Sequence, residues 1–141
     1  MSSDDNQIAK TAIIKHENMS LIDGFANHLK DSGLSPKTVR NHVDNLHFFA
    51  DYLVYYEPYE KLSDADAGDV SSFLSDYFPR KSMWASPFSV KSYIATFKKF
   101  FNFMLINSLI KEAGYKELLE TIKLEKELWL DSVDSDDEGF W

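Results

Sequence analysis

Residues 35–55 of this chain lie over residues 86–106 without a gap, at a constant offset of 51 positions. Ser35/Ser86, Pro36/Pro87, Val39/Val90 and Phe49/Phe100 are identical pairs. Thr38/Ser89, Arg40/Lys91, Val43/Ile94, Leu46/Phe97, Leu53/Met104 and Val54/Leu105 keep their chemistry. A gapless internal match of this length predicts the same local structure twice. Each copy opens on Ser-Pro, an N-cap followed by a proline at the first helical position, where its missing N–H costs nothing. Apolar residues then recur at three and four, the period of a helix with one buried face.

The remainder of the chain supplies partners for these two helices. From Ser20, the residues Leu21, Ile22, Phe25, Ala26 and Leu29 keep helical spacing, and Gly33 is available for a left-handed cap. Ser63 with Asp66 reads as a capping box before Val70, Phe73, Leu74, Tyr77 and Phe78, with an end before Pro79. After Gly114, the residues Tyr115, Leu118, Leu119, Ile122 and Trp129 suggest a looser last helix. The expected organisation is a flexible arm over 1–16, a helical domain over 17–130 and an acidic flexible tail over 131–141. The expected architecture is all-α, with four to five helices arranged as two crossed helical hairpins.

Apolar residues make up 44% of the 141 positions and aromatics 15%, enough to form a real core. Cysteine is absent, which excludes disulfides and thiolate metal sites. The most apolar stretch, Phe100 to Ile110, is too short and too polar to span a bilayer, and no leader pattern opens the sequence, so no membrane association and a cytoplasmic location are expected.

Net charge is −8, which argues against a surface that attracts nucleic acid everywhere. Its distribution is uneven. Residues 86–106 hold Lys91, Lys98 and Lys99 and no acid, so they carry +3 and the rest carries −11. In residues 35–55, Lys37 and Arg40 are balanced by Asp44 and Asp51.

Basic and hydroxyl groups occupy equivalent first turns: Lys37, Thr38, Arg40 and Asn41 in one copy, and Ser89, Lys91 and Ser92 in the other. A cation at a helix N-terminus opposes the macrodipole, so its recurrence calls for a solvated face or an anionic partner nearby. Phosphate suits both the cation and the helix start.

With these residues in view, the sequence resembles the N-terminal core-binding, SAM-like domain of phage integrases and tyrosine recombinases. The likeness is carried by Leu34-Ser35-Pro36-Lys37-Thr38-Val39-Arg40-Asn41 leading to Leu46 and Phe48-Phe49. It continues through Leu62-Ser63, Asp69-Val70 and Phe73-Leu74, then Ser89-Val90 leading to Lys98-Lys99-Phe100-Phe101, over roughly residues 18–110. The resemblance implies double-stranded DNA as partner, a separate C-terminal catalytic domain on the opposite side of the duplex, and protomer contacts in a synapse. It also implies that Lys37, Thr38, Arg40, Asn41, Ser89, Lys91 and Ser92 face DNA. Lys98 and Lys99, further along the same helix, are either phosphate contacts or solvated.

No complete catalytic set is visible. The family cleaves DNA with a tyrosine nucleophile while arginines stabilise the phosphorane charge. This chain has only Arg40 and Arg80, neither preceded at three residues by histidine. His16, His28, His42 and His47 lack metal-ligand spacing, and no cofactor motif occurs. Asp134, Asp136, Glu138 and Gly139 mimic the opening of a calcium loop without its twelfth-position acid. The expected role is therefore DNA binding rather than catalysis. The alternative is an acidic helical adaptor or regulator that binds protein.

Overall fold

Both copies of the repeat form helices of 20 residues, Pro36–Tyr55 and Pro87–Ile106, so that the offset of 51 is kept at both ends. The computed structural model describes residues 3–56 and 59–134. Along the chain lie α1 (Ser3–Asp31), α2 (Pro36–Tyr55), a 3₁₀ turn (Leu62–Asp64), α3 (Ala67–Ser72), a π turn (Phe73–Tyr77), α4 (Phe78–Lys81), α5 (Pro87–Ile106) and α6 (Glu112–Ser132). Among the described residues no strand occurs, and no helix is long and apolar enough to cross a membrane. Two compact units share the chain, one ending at Ala65 and the other beginning at Asp66.

In the first unit α1 and α2 form a helical hairpin. The turn between them is a Schellman motif: Gly33 sits at φ +90°, its N–H donates to the Lys30 carbonyl, and the Leu34 N–H reaches back to the Leu29 carbonyl at 3.3 Å. The left-handed cap expected at Gly33 is thus present. Ile22, Phe25 and Leu29 of α1 and Val39, Leu46, Phe49, Ala50 and Leu53 of α2 are buried.

The helix start expected at Ser20 is corrected: α1 begins at Ser3. Ile8 and Ile13 stay exposed, so no apolar stripe marks this segment. Long-range polar contacts dock it instead. The Asn18 amide oxygen, itself buried, accepts from the Leu62 N–H at 2.9 Å. Lys15 Nζ donates to the Tyr55 hydroxyl at 2.8 Å, and Glu17 pairs with Lys61 at 3.6 Å.

The second unit departs from expectation at three points. The capping box is made by Asp66 and Asp69, not by Ser63, which lies in the 3₁₀ turn that buries Leu62. The helical run does not stop before Pro79 but continues to Lys81. A proline inside a helix lacks its own N–H and clashes with the carbonyl four residues back. Here the preceding turn widens to π geometry, with the Phe78 N–H bonded to the Phe73 carbonyl, and that adjustment lets Pro79 stay helical.

The third departure concerns the break between the last two helices. It falls at Asn107–Lys111, whereas Gly114 lies inside the first turn of α6. Ser108 adopts φ +60° and completes a second Schellman motif, with the Leu109 N–H on the Met104 carbonyl at 2.8 Å.

Aromatic rings knit the π turn and α4 to α5. Phe78 and Tyr93 lie 4.8 Å apart, Phe73 and Tyr93 5.3 Å, and Phe73 meets Phe97 edge-on. This is the second expected hairpin. Helix α6 then packs on α3, the π turn and α5 with Leu118, Ile122 and Trp129 buried, and Ser71 donates its hydroxyl to Glu125 across α3 and α6.

Candidate nucleic-acid interface

The two Ser-Pro starts are built alike. Ser35 Oγ accepts from the Thr38 N–H at 3.2 Å, and Ser86 Oγ accepts from the Ser89 N–H at 3.1 Å while Ser89 Oγ accepts from the Ser86 N–H at 2.8 Å. Neither α2 nor α5 has an acid in its first turn, in contrast to Asp69 in α3 and Glu112 in α6. The macrodipole favours an acid there. In α2 Lys37 stands in its place, while in α5 the first cation, Lys91, follows the first turn.

At 100° per residue, Lys37, Arg40 and Asn41 fall on one face of α2 within about 100° of arc. All three are exposed. The same face continues through Asp44, His47, Phe48 and Asp51, so its basic character is confined to the helix start. Thr38 lies to the side, half-buried, with its hydroxyl oxygen accepting from Ser35 Oγ at 3.0 Å.

On α5 the equivalent face holds Phe88, Lys91, Ser92, Ala95, Lys98, Lys99 and Asn102 within about 120° of arc. Lys91, Lys98 and Lys99 are exposed and stand on one side of the helix. In this copy Ala95 and Asn102 replace Asp44 and Asp51, and Lys98 and Lys99 replace His47 and Phe48, so the face is basic along its length. Ser89 is turned away from it: its hydroxyl completes the capping box and donates to the backbone carbonyls of Trp84 and Ser86. The buried Thr96 hydroxyl donates to the Ser92 carbonyl at 3.1 Å.

Among the described residues, the ion pairs at Lys61, Arg80 and Lys116 leave Lys37, Arg40, Lys91, Lys98 and Lys99 out. Arg80 is held by Asp76 through two hydrogen bonds, at 3.1 and 3.0 Å, and the guanidinium keeps the Asp76 carboxyl below the usual aspartate range. On α1 the hydrogen bond to the Tyr55 hydroxyl raises Lys15 above its ordinary value.

A broader charge feature escapes inspection of the repeat alone. No acid occurs between Asp76 and Glu112, while Arg80, Lys81, Lys91, Lys98, Lys99 and Lys111 do. This stretch carries +6, and the rest of the chain, with 9 cations and 23 acids, carries −14. An acid-free run is readable from sequence and extends the basic segment well beyond the helix.

No group of His, Asp or Glu able to hold a metal ion is assembled among the described residues. Of the calcium-like pattern, Asp136, Glu138 and Gly139 lie outside the described residues, as does most of the acidic tail.

These features define an all-helical module built on two copies of one Ser-Pro-started helix, each presenting cations near its start. The family model described as phage integrase, N-terminal SAM-like domain, matches residues 22–107, more than half of the chain. The chain belongs to that family. The matched part of the integrases is their N-terminal domain, not their catalytic one. No curated protein and no solved structure gives a significant match.

Proposed function

We propose that this chain is the core-binding module of a tyrosine site-specific recombinase, docking duplex DNA through the exposed faces at the starts of α2 and α5. Lys37, Arg40 and Asn41 act from α2, and Lys91, Ser92, Lys98 and Lys99 from α5. Thr38 and Ser89 serve this surface as caps that hold the helix starts, since their hydroxyls are engaged there. The observation that carries the reading is the pair of equivalently capped, acid-free helix starts with exposed cations among their first five residues, Lys37 and Arg40 in α2 and Lys91 in α5. Phosphate oxygens satisfy the cations and are favoured beside the positive end of a helix dipole.

The chemistry belongs to a separate catalytic domain, which this module positions on the duplex. Exposed Leu124 and Leu128, one turn apart on α6, offer a face to a second protomer in a synapse.

Titration of a labelled duplex by fluorescence anisotropy at low and moderate salt tests this reading. Weak binding is expected, with log affinity falling against log salt at a slope no steeper than about −4 to −5, the limit for five phosphate contacts. Exchanging Lys37, Arg40, Lys91 and Lys98 for Glu should abolish it. Absence of binding by the unaltered protein at low salt overturns the reading and favours a protein-binding adaptor.

A further inference from the structure

Three large apolar side chains stand exposed within six residues of the loop that leads into α5. Met83 is 99% exposed, Phe88 81% and Trp84 57%. Apolar groups gathered this way on a surface mark a contact site. Phe88 belongs to the first turn of α5, and the loop that carries Met83 and Trp84 is not loose. Ser82 is buried, its hydroxyl accepts from the Trp84 N–H at 3.3 Å, and its carbonyl accepts from the Ala85 N–H. From the helix side, Ser89 Oγ donates to the Trp84 carbonyl at 3.2 Å. The Trp84 ring meets Phe78 edge-on at 6.4 Å, which anchors one side of the indole.

Charge decides what such a patch meets. Lys81 and Arg80 precede it and Lys91 follows one turn after Phe88, all inside the segment from 77 to 111 that holds six cations and no acid. The repeat adds a positional argument, because Phe88 stands at the position that Lys37 occupies on α2. Arg80 is paired with Asp76, but Lys81 and Lys91 stand outside the ion pairs among the described residues, and an apolar surface next to such cations fits a polyanion that also presents flat nonpolar faces. Duplex DNA does so through its deoxyribose rings, base edges and thymine methyls.

We infer that Met83, Trp84 and Phe88 form a nonpolar contact surface for duplex DNA, packing against sugars and base edges beside the phosphates held by Lys91. The inference rests on the DNA-binding reading above and adds to it a part of the affinity that salt does not screen. Cations contribute through counterion release and weaken as salt rises, whereas apolar burial does not.

The test uses the full chain and a short fluorescent duplex, comparing the unaltered protein, the double variant Met83→Ser/Phe88→Ser and Lys91→Glu over a range of salt concentrations. Circular dichroism checks that helicity is retained, which exposed positions should allow. The double variant is expected to bind about tenfold more weakly at every salt concentration with an unchanged salt slope, while Lys91→Glu flattens the slope. Trp84 emission should change when duplex is added, and Trp84→Phe should remove that change. Unaltered affinity in the double variant overturns the inference and leaves the DNA-binding reading standing. A loss of self-association in that variant, with DNA affinity kept, also overturns it and assigns the patch to a protein contact. Failure of the unaltered protein to bind duplex at low salt removes both.

Discussion

Single residues decide how the first unit closes. Asn18 is a buried polar side chain on a helix whose neighbours Met19 and Ser20 are exposed, and its amide oxygen satisfies the Leu62 N–H at the 3₁₀ turn. A buried N–H without a partner costs its desolvation, about 1–3 kcal/mol. Asn18→Leu should therefore lower stability by about 2 kcal/mol in urea unfolding, despite adding apolar surface. An unchanged midpoint would show that water or a backbone shift replaces the amide. No local pattern marks Asn18, because its partner lies 44 residues away.

At the scale of elements, two Schellman motifs end α1 and α5, one with glycine at the left-handed position and one with serine. A Cβ at Gly33 would meet nothing within 4 Å, so substitution there tests backbone conformation alone. Gly33→Ala should destabilise by about 1 kcal/mol, and Ser108→Gly should stabilise by a similar amount, as measured by thermal unfolding. A loss of stability in Ser108→Gly would mean that the serine contributes more than its strain.

The same two ends show what was legible. Gly33 is read at once as a helix stop, but at Ser108 the spacing points to Gly114 instead. That glycine is absorbed into α6, and the chain turns at serine because Leu109 folds back onto the Met104 carbonyl. Likewise Ser63-x-x-Asp66 reads as the capping box, yet Asp66 and Asp69 form it while Ser63 lies in the 3₁₀ turn that buries Leu62.

Across the whole molecule, charge is unevenly spread, with +6 over residues 77–111 and −14 over the rest. Asp44 and Asp51 sit on the α2 face that opens with Lys37 and Arg40, and they stand where α5 has Ala95 and Asn102. If that face meets phosphate, the two carboxylates oppose binding. Asp44→Asn and Asp51→Asn should each raise duplex affinity by roughly threefold at low salt, with the gain fading as ionic strength increases. A gain that persists in high salt would have to come from something other than charge.

The two repeated helices, their starts, the end of α2, their buried stripes and the cations near their starts were determined by the sequence alone. Serine caps, proline geometry and a 3.6-residue period act within a few residues and need no distant partner. Tertiary structure decided the length of α1 and the passage of the chain through Pro79. In those cases the deciding contacts, from Asn18 to Leu62, Lys15 to Tyr55 and Phe78 to Tyr93, join residues far apart in the chain. A helix exposed along one half shows no stripe to read, and Pro79 continues the helical run after a widened turn whose Phe73 packs with Phe78 on Tyr93.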